Sequence, residues 1–246
     1  MANWQDPQTT GVSAATVGVP RAARDAGLRS YMLSVYNYMA SGVLLTGIIA
    51  LLFAPYAGQV LISASGRGMS PLGWIVTLSP LAIVFAMSFG AARMRTATLQ
   101  LLFWAFAALM GLSMSTIFLV FTGASIAQTF FATAAAYLGL SLYGYTTKRD
   151  LSGFGTFLIM GVVGILVAML VNLFLQSTAM ALMISVIGVL LFAGLTAYDT
   201  QRIKSMYFYV QGTEMAGKTV IMGALTLYLD FINMFQFLLM FMGDRR

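Results

Sequence analysis

The sequence contains no cysteine and no histidine among its 246 residues. Without cysteine the chain forms no disulfide and offers no thiol nucleophile, and without either residue it builds no Cys/His zinc site. The lack of histidine also removes the side chain that most often changes charge near neutral pH. Any proton sensing by this protein must therefore depend on carboxyl groups.

Charged residues are also scarce, at 8% of the chain, whereas 60% of the residues are hydrophobic. Soluble globular chains carry about 25% charged residues, so this composition predicts a polytopic membrane protein. The net charge of +6 does not indicate nucleic-acid binding, because the 13 basic residues are scattered and form no basic stripe.

Seven apolar segments are long enough to cross a bilayer, because a spanning helix needs about 20 mostly apolar residues. They predict an all-α transmembrane domain over residues 30–246. The predicted helices cover about residues 33–54, 73–92, 98–121, 124–146, 153–175, 179–209 and 219–242. Residues 1–29 are polar and lack the apolar core of a signal peptide, so we expect a disordered cytoplasmic tail there.

The basic residues indicate how the chain is oriented in the membrane. If the N-terminus is cytoplasmic, the cytoplasmic segments carry 10 basic residues and the outer segments carry 3. If the seventh segment instead dips in and returns, the count becomes 12 to 1. A re-entrant seventh segment therefore stays open as an alternative.

Small residues are common where transmembrane helices approach each other closely. The fourth segment has four of them at helical spacing, which predicts a packing seam. These residues are Ala132, Ala135, Ala136 and Gly139.

Two of the seven acidic residues, Asp199 and Asp230, lie inside predicted spans. A charge at the bilayer centre costs about 2.5–3.5 kcal/mol on insertion scales, so both side chains should face protein or water. Each acid has polar neighbours three or four residues away on its own helix face: Thr196 and Arg202 for Asp199, and Thr226 and Asn233 for Asp230.

The two acids lie at the same depth if the sixth helix continues to about Val210, with Gly212 as its stop. Two carboxylates close together in a low dielectric cannot both ionise cheaply, so they would share a proton and titrate as a unit. After deprotonation they would repel each other, hydrate, or recruit a hard cation such as calcium.

Other roles for these residues also fit the sequence. Asp199 could be a helix-end residue paired with Arg202, and Asp230 could be a structural hydrogen-bonding centre. Arg93 and Arg95 follow the second segment, where they either anchor the chain at the membrane surface or supply a cationic latch for the ionised Asp199. Arg93 is the preferred latch candidate.

Three stretches resemble the transmembrane Bax inhibitor motif family, most closely its bacterial members: LTLYLDFINMF at 225–235, AYDTQRIK at 197–204 and TTKRDLSGFGTFL at 146–158. The resemblance covers about residues 33–242. It implies a seven-helix fold with the last helix in the centre, and a pH-sensitive passive calcium leak in the inner membrane. The two aspartates that control this leak would be Asp199 and Asp230, and the arginine after the second helix would be Arg93. The stretch ARMR departs from the family pattern, because Met94 interrupts the basic cluster.

Two other functions compete with the leak. A non-conducting regulator would bind other membrane or quality-control proteins through the tail of residues 1–29. An intramembrane aspartyl protease is similar in one motif, YD at 198–199, but such enzymes carry G-x-G-D at the second aspartate, where this chain has L-Y-L-D. We therefore expect no enzymatic activity and no cofactor, with lipid, protons and calcium as the partners.

Overall fold

The computed structural model of the protein describes residues 21–63 and 68–246. Within these residues it is all-helical, and seven helices are long and apolar enough to cross a membrane. This confirms the predicted fold class. The helices are α1 (Arg21–Leu61), α2 (Pro71–Gly90), α3 (Thr96–Met114), α4 (Ile117–Val120), α5 (Gly123–Thr146), α6 (Ser152–Leu175), α7 (Thr178–Val210) and α8 (Met215–Met242).

The first helix is longer at both ends than predicted. It begins at Arg21, so the predicted disordered tail is wrong for residues 21–29, and residues 1–20 lie outside the described residues. Alanine and arginine are strong helix formers, and the Tyr31 ring packs on Tyr207 of α7 with 5.4 Å between centroids. The helix also continues through Pro55, because spanning helices tolerate proline where neighbouring groups satisfy the freed carbonyl.

The third predicted segment is interrupted near its end. The helix stops at Met114, and the single turn of α4 follows. The hydroxyl groups of Ser115 and Thr116 donate to carbonyl groups three residues earlier, at 2.6 and 2.9 Å. Such bonds compete with the regular helical ladder and explain the break.

The last helix, α8, lies in the centre of the bundle, as the resemblance implied. It packs against α1, α3, α5 and α7, whereas α2 packs on α1 and α3 and α6 packs on α7. Many of the side chains of α8 are buried, among them Tyr228, Asp230 and Phe231.

Contacts at both of its ends show that α8 runs the full length of the bundle. At its start the Lys218 ammonium donates to the Ala92 carbonyl, in the turn between α2 and α3, at 3.0 Å. After its end the Thr122 amide, between α4 and α5, donates to the Asp244 carbonyl at 3.0 Å. These turns lie at opposite ends of the span formed by α3 and α4, so the re-entrant alternative does not describe this structure.

A buried hydrogen-bond chain joins α1, α3 and α8. The Thr46 hydroxyl donates to the Ala107 carbonyl at 2.8 Å, so the Tyr228 hydroxyl, 2.6 Å away, must donate to Thr46. Both side chains are buried. Thr46 is therefore the acceptor on which the Tyr228 hydroxyl depends.

Replacing Thr46 with valine is expected to destabilise the protein more than replacing Tyr228 with phenylalanine. The first change leaves the buried Tyr228 hydroxyl without its acceptor, at about 1–3 kcal/mol, whereas the second removes one hydrogen bond, at about 1 kcal/mol. Thermal denaturation of the two purified variants in detergent shows which of them loses more stability. A larger loss for Tyr228→Phe would contradict this assignment of donor and acceptor.

Candidate functional site

The length of α7 brings Asp199 to the level of Asp230. The helix continues through the aromatic run at 207–209 to Val210, and Gly212 follows with a positive φ of 76°. Asp199 therefore lies eleven residues before the helix end rather than at the membrane surface. Since α7 packs along the central helix, Asp199 faces α8.

The Asp199 and Asp230 side chains form a buried carboxyl pair. They are 7% and 4% exposed, and their carboxyl groups lie within interaction distance of each other. The Oδ2 atom of Asp230 has no hydrogen-bond partner among the described residues. Carboxylates only accept hydrogen bonds, so a hydrogen bond between the two side chains requires that one of them carries a proton.

Three of the polar residues predicted to support the pair donate hydrogen bonds to backbone carbonyl groups of their own helices. Thr196 and Thr226 donate to the carbonyl four residues earlier at 2.8 and 3.1 Å, and the Asn233 amide does the same at 2.8 Å. A hydroxyl or amide on a helix reaches this carbonyl without crossing to a neighbouring helix. Thr226 and Asn233 therefore use these donors within α8, and their support of Asp230 stays a prediction.

The three arginines considered for the site are exposed. Arg202 lies one turn after Asp199 and influences it through its charge, but the two do not form an ion pair in the described part of the chain. Arg93 and Arg95 lie in the turn between α2 and α3. Neither contacts the carboxyl pair in this arrangement, although Lys218 ties the same turn to the start of α8.

Comparison with known proteins identifies the family. Residues 28–246 match the family model described as Inhibitor of apoptosis-promoting Bax1. The chain belongs to this Bax inhibitor family. It is 45% identical over 223 residues to Inner membrane protein YbhL of Escherichia coli strain K12, covering 90% of this chain and 94% of that protein. It is also 46% identical over 223 residues to an uncharacterized protein of Rickettsia prowazekii, covering 90% and 92% of the two chains.

A stripe of hydroxyl groups on α5, which the sequence analysis missed, also belongs to the core of this Bax inhibitor family protein. Its five buried residues recur every fourth position: Ser125, Thr129, Thr133, Tyr137 and Ser141. The Ser141 hydroxyl joins Tyr36 of α1 at 2.6 Å and Thr200 of α7 at 3.0 Å, directly beside Asp199. The four-residue spacing was the signal that could have revealed this face.

The predicted small-residue seam of the same helix is wrong. Ala132, Ala135, Ala136 and Gly139 are exposed, and nothing lies within 4 Å of a Cβ atom added at Gly139. Facing inward, the Ser141 hydroxyl finds partners on α1 and α7, whereas alanine is tolerated on a lipid-facing surface. The hydrogen bonds of Ser141 in this Bax inhibitor family protein thus favour the observed rotation of α5, although the buried Tyr137 hydroxyl has no partner among the described residues.

Proposed function

We propose that this protein is a passive calcium leak channel of the bacterial inner membrane, and that the Asp199–Asp230 pair controls its opening. The observation that carries this proposal is the close approach of two buried carboxyl groups on neighbouring spanning helices. The Escherichia coli relative is named as an inner membrane protein, which supports the location.

With one proton between them, the two carboxyl groups attract each other and hold α7 against the central helix. Loss of that proton places two negative charges face to face, and their repulsion favours separation of the helices. Water then enters the gap between the helices, and a permeating cation passes the two carboxylates. We therefore expect the leak to be small at low pH and to rise with pH.

Calcium fits the pair as a permeant ion rather than as a resident one. It prefers carboxylate and carbonyl oxygens and takes six to eight of them when tightly bound. Among the described residues no group of three or more acidic side chains could hold a metal ion. Two carboxylates alone give a weak site, which suits an ion that must leave again.

Arg93 is the proposed latch of the open state. Its turn is joined to the start of α8 by the Lys218–Ala92 hydrogen bond, so a movement of α8 carries the turn with it. An ionised Asp199 would then accept charge-assisted hydrogen bonds from the Arg93 guanidinium, which stabilises the deprotonated arrangement.

Calcium flux into proteoliposomes, measured between about pH 5 and 8, tests the proposal. We expect flux to increase with pH in the wild-type protein and in Asp150→Asn. The Ser152 amide donates to the exposed Asp150 side chain and holds the pKa of that carboxyl below its usual value. Asp150 is therefore ionised throughout this range and cannot cause the change. Flux that is absent, or that is independent of pH in the wild-type protein, would overturn the proposal.

A further inference from the structure

A cavity of about 700 Å³ opens between α1 and α5, and Tyr137 and Ser141 are among its lining residues. Phe231 of the central helix forms part of its floor. A second cavity of about 260 Å³ shares Val43, Phe130 and Phe231 with the first and continues along the same seam. The two helices therefore leave a long gap on the outside of the bundle.

The larger cavity has the length of one bilayer leaflet. On α1 its lining extends from Arg29 to Leu44, which is fifteen residues or roughly 22 Å at 1.5 Å per residue. Half of a hydrocarbon core measures about 15 Å, and the remainder reaches the headgroup region. Leu33 and Leu138 line the cavity and are 50% and 68% exposed, so its open side faces the surrounding lipid. This shape suits a hydrocarbon chain that enters sideways from the bilayer.

The end of the cavity near the start of α1 is positively charged. Arg29 lines it and is exposed, and Asp25, one turn earlier, is not among the lining residues. The Lys204 ammonium donates to the carbonyl of another lining residue, Tyr145, at 2.6 Å and lies 4.9 Å from the centre of its ring. None of the lining residues is acidic. An arginine and a lysine at headgroup depth favour a phosphate group.

We infer that this cavity binds one anionic phospholipid, with an acyl chain between α1 and α5 and the phosphate against Arg29 and Lys204. Its inner wall includes the Tyr36–Ser141 hydrogen bond and the buried Tyr137 ring, so side chains separate the lipid from the aspartates. The inference does not rest on the calcium leak.

Native mass spectrometry of the full-length protein in detergent tests the headgroup contact. The probes are phosphatidylglycerol and phosphatidylcholine with identical acyl chains. We expect the wild-type protein to retain one phosphatidylglycerol in preference to phosphatidylcholine. Arg29→Gln should lower that preference about fivefold, since a basic residue near anionic lipid contributes about 1 kcal/mol. Arg149→Gln, an exposed arginine outside the cavity lining, should leave the preference unchanged.

Filling the cavity tests the site of the acyl chain. Ala134 lines the cavity and its neighbour Ala135 is exposed outside it, so Ala134→Phe should abolish lipid retention and Ala135→Phe should not. Ala40→Phe, on the opposite wall, should repeat the loss if Ala134→Phe fails to fold. Equal retention of the two lipids, no effect of Arg29→Gln, or no effect of filling would each overturn the inference. A lipid-free dimer would also overturn it, because a second copy of the chain would then occupy the cavity.

Discussion

Asp230→Asn is expected to keep the calcium leak at its low-pH level at every pH between about 5 and 8. The side-chain amide of asparagine donates a hydrogen bond to the Asp199 carboxylate and does not lose its proton in this range. The attraction that holds α7 against α8 would then persist when the wild-type pair has lost its proton. Asp199→Asn should have the same effect, because an asparagine amide on α7 can donate to the Asp230 carboxylate in the same way.

The expected effect on calcium flux is large because Asp230→Asn removes the repulsion between two carboxylates. Two unit charges about 4 Å apart repel by about 4 kcal/mol at an effective dielectric constant of about 20. That energy corresponds to a shift on the order of a thousandfold in the balance between open and closed arrangements. The flux of Asp230→Asn at about pH 8 should therefore fall by at least tenfold relative to the wild-type protein.

Thermal stability gives a second measure that does not depend on ion flux. The stabilising contact between the two carboxyl groups is present at low pH and is lost as rising pH removes the shared proton. The wild-type protein should therefore lose thermal stability as the pH rises, and Asp230→Asn should lose less. Asp244→Asn, an exposed carboxyl beyond the end of α8, is the matched control and should behave like wild type. A flux and a stability profile that Asp230→Asn leaves unchanged would exclude this pair as the switch.

Gly144→Ala is expected to destabilise the protein strongly, because α5 and α7 meet at this position. A Cβ atom added at Gly144 would overlap the backbone carbonyl of Ala197, two residues before Asp199. The overlap is relieved only if α5 and α7 move apart, and overpacking of this kind costs about 1–3 kcal/mol.

Gly139→Ala on the same helix is the matched control, since an added Cβ atom there meets nothing within 4 Å. Alanine is favoured over glycine in a helix by up to about 1 kcal/mol, so this control should be neutral or slightly stabilising. Thermal denaturation of both variants in detergent measures the difference. Equal denaturation temperatures would show that α5 and α7 are not in contact at Gly144.

The carboxyl pair shows how far the sequence could predict the site. The aromatic run at 207–209 and Gly212 indicated a long sixth span, and its length placed Asp199 level with Asp230. The partners of these acids could not be predicted in the same way. Thr226 and Asn233 share the helix face of Asp230, but each reaches a carbonyl of its own helix more readily than a neighbouring side chain.

Seven apolar spans and two inward-facing acids follow from the amino-acid sequence alone, because span length and the cost of charge in lipid act within each segment. The rotation of each helix, and therefore which residues meet, depends on how the helices pack together. In a bilayer an apolar side chain is tolerated both inside the bundle and against lipid. The hydroxyl stripe of α5, the position of Gly144 against Ala197 and the gap between α1 and α5 show which faces α1, α5 and α7 turn toward each other.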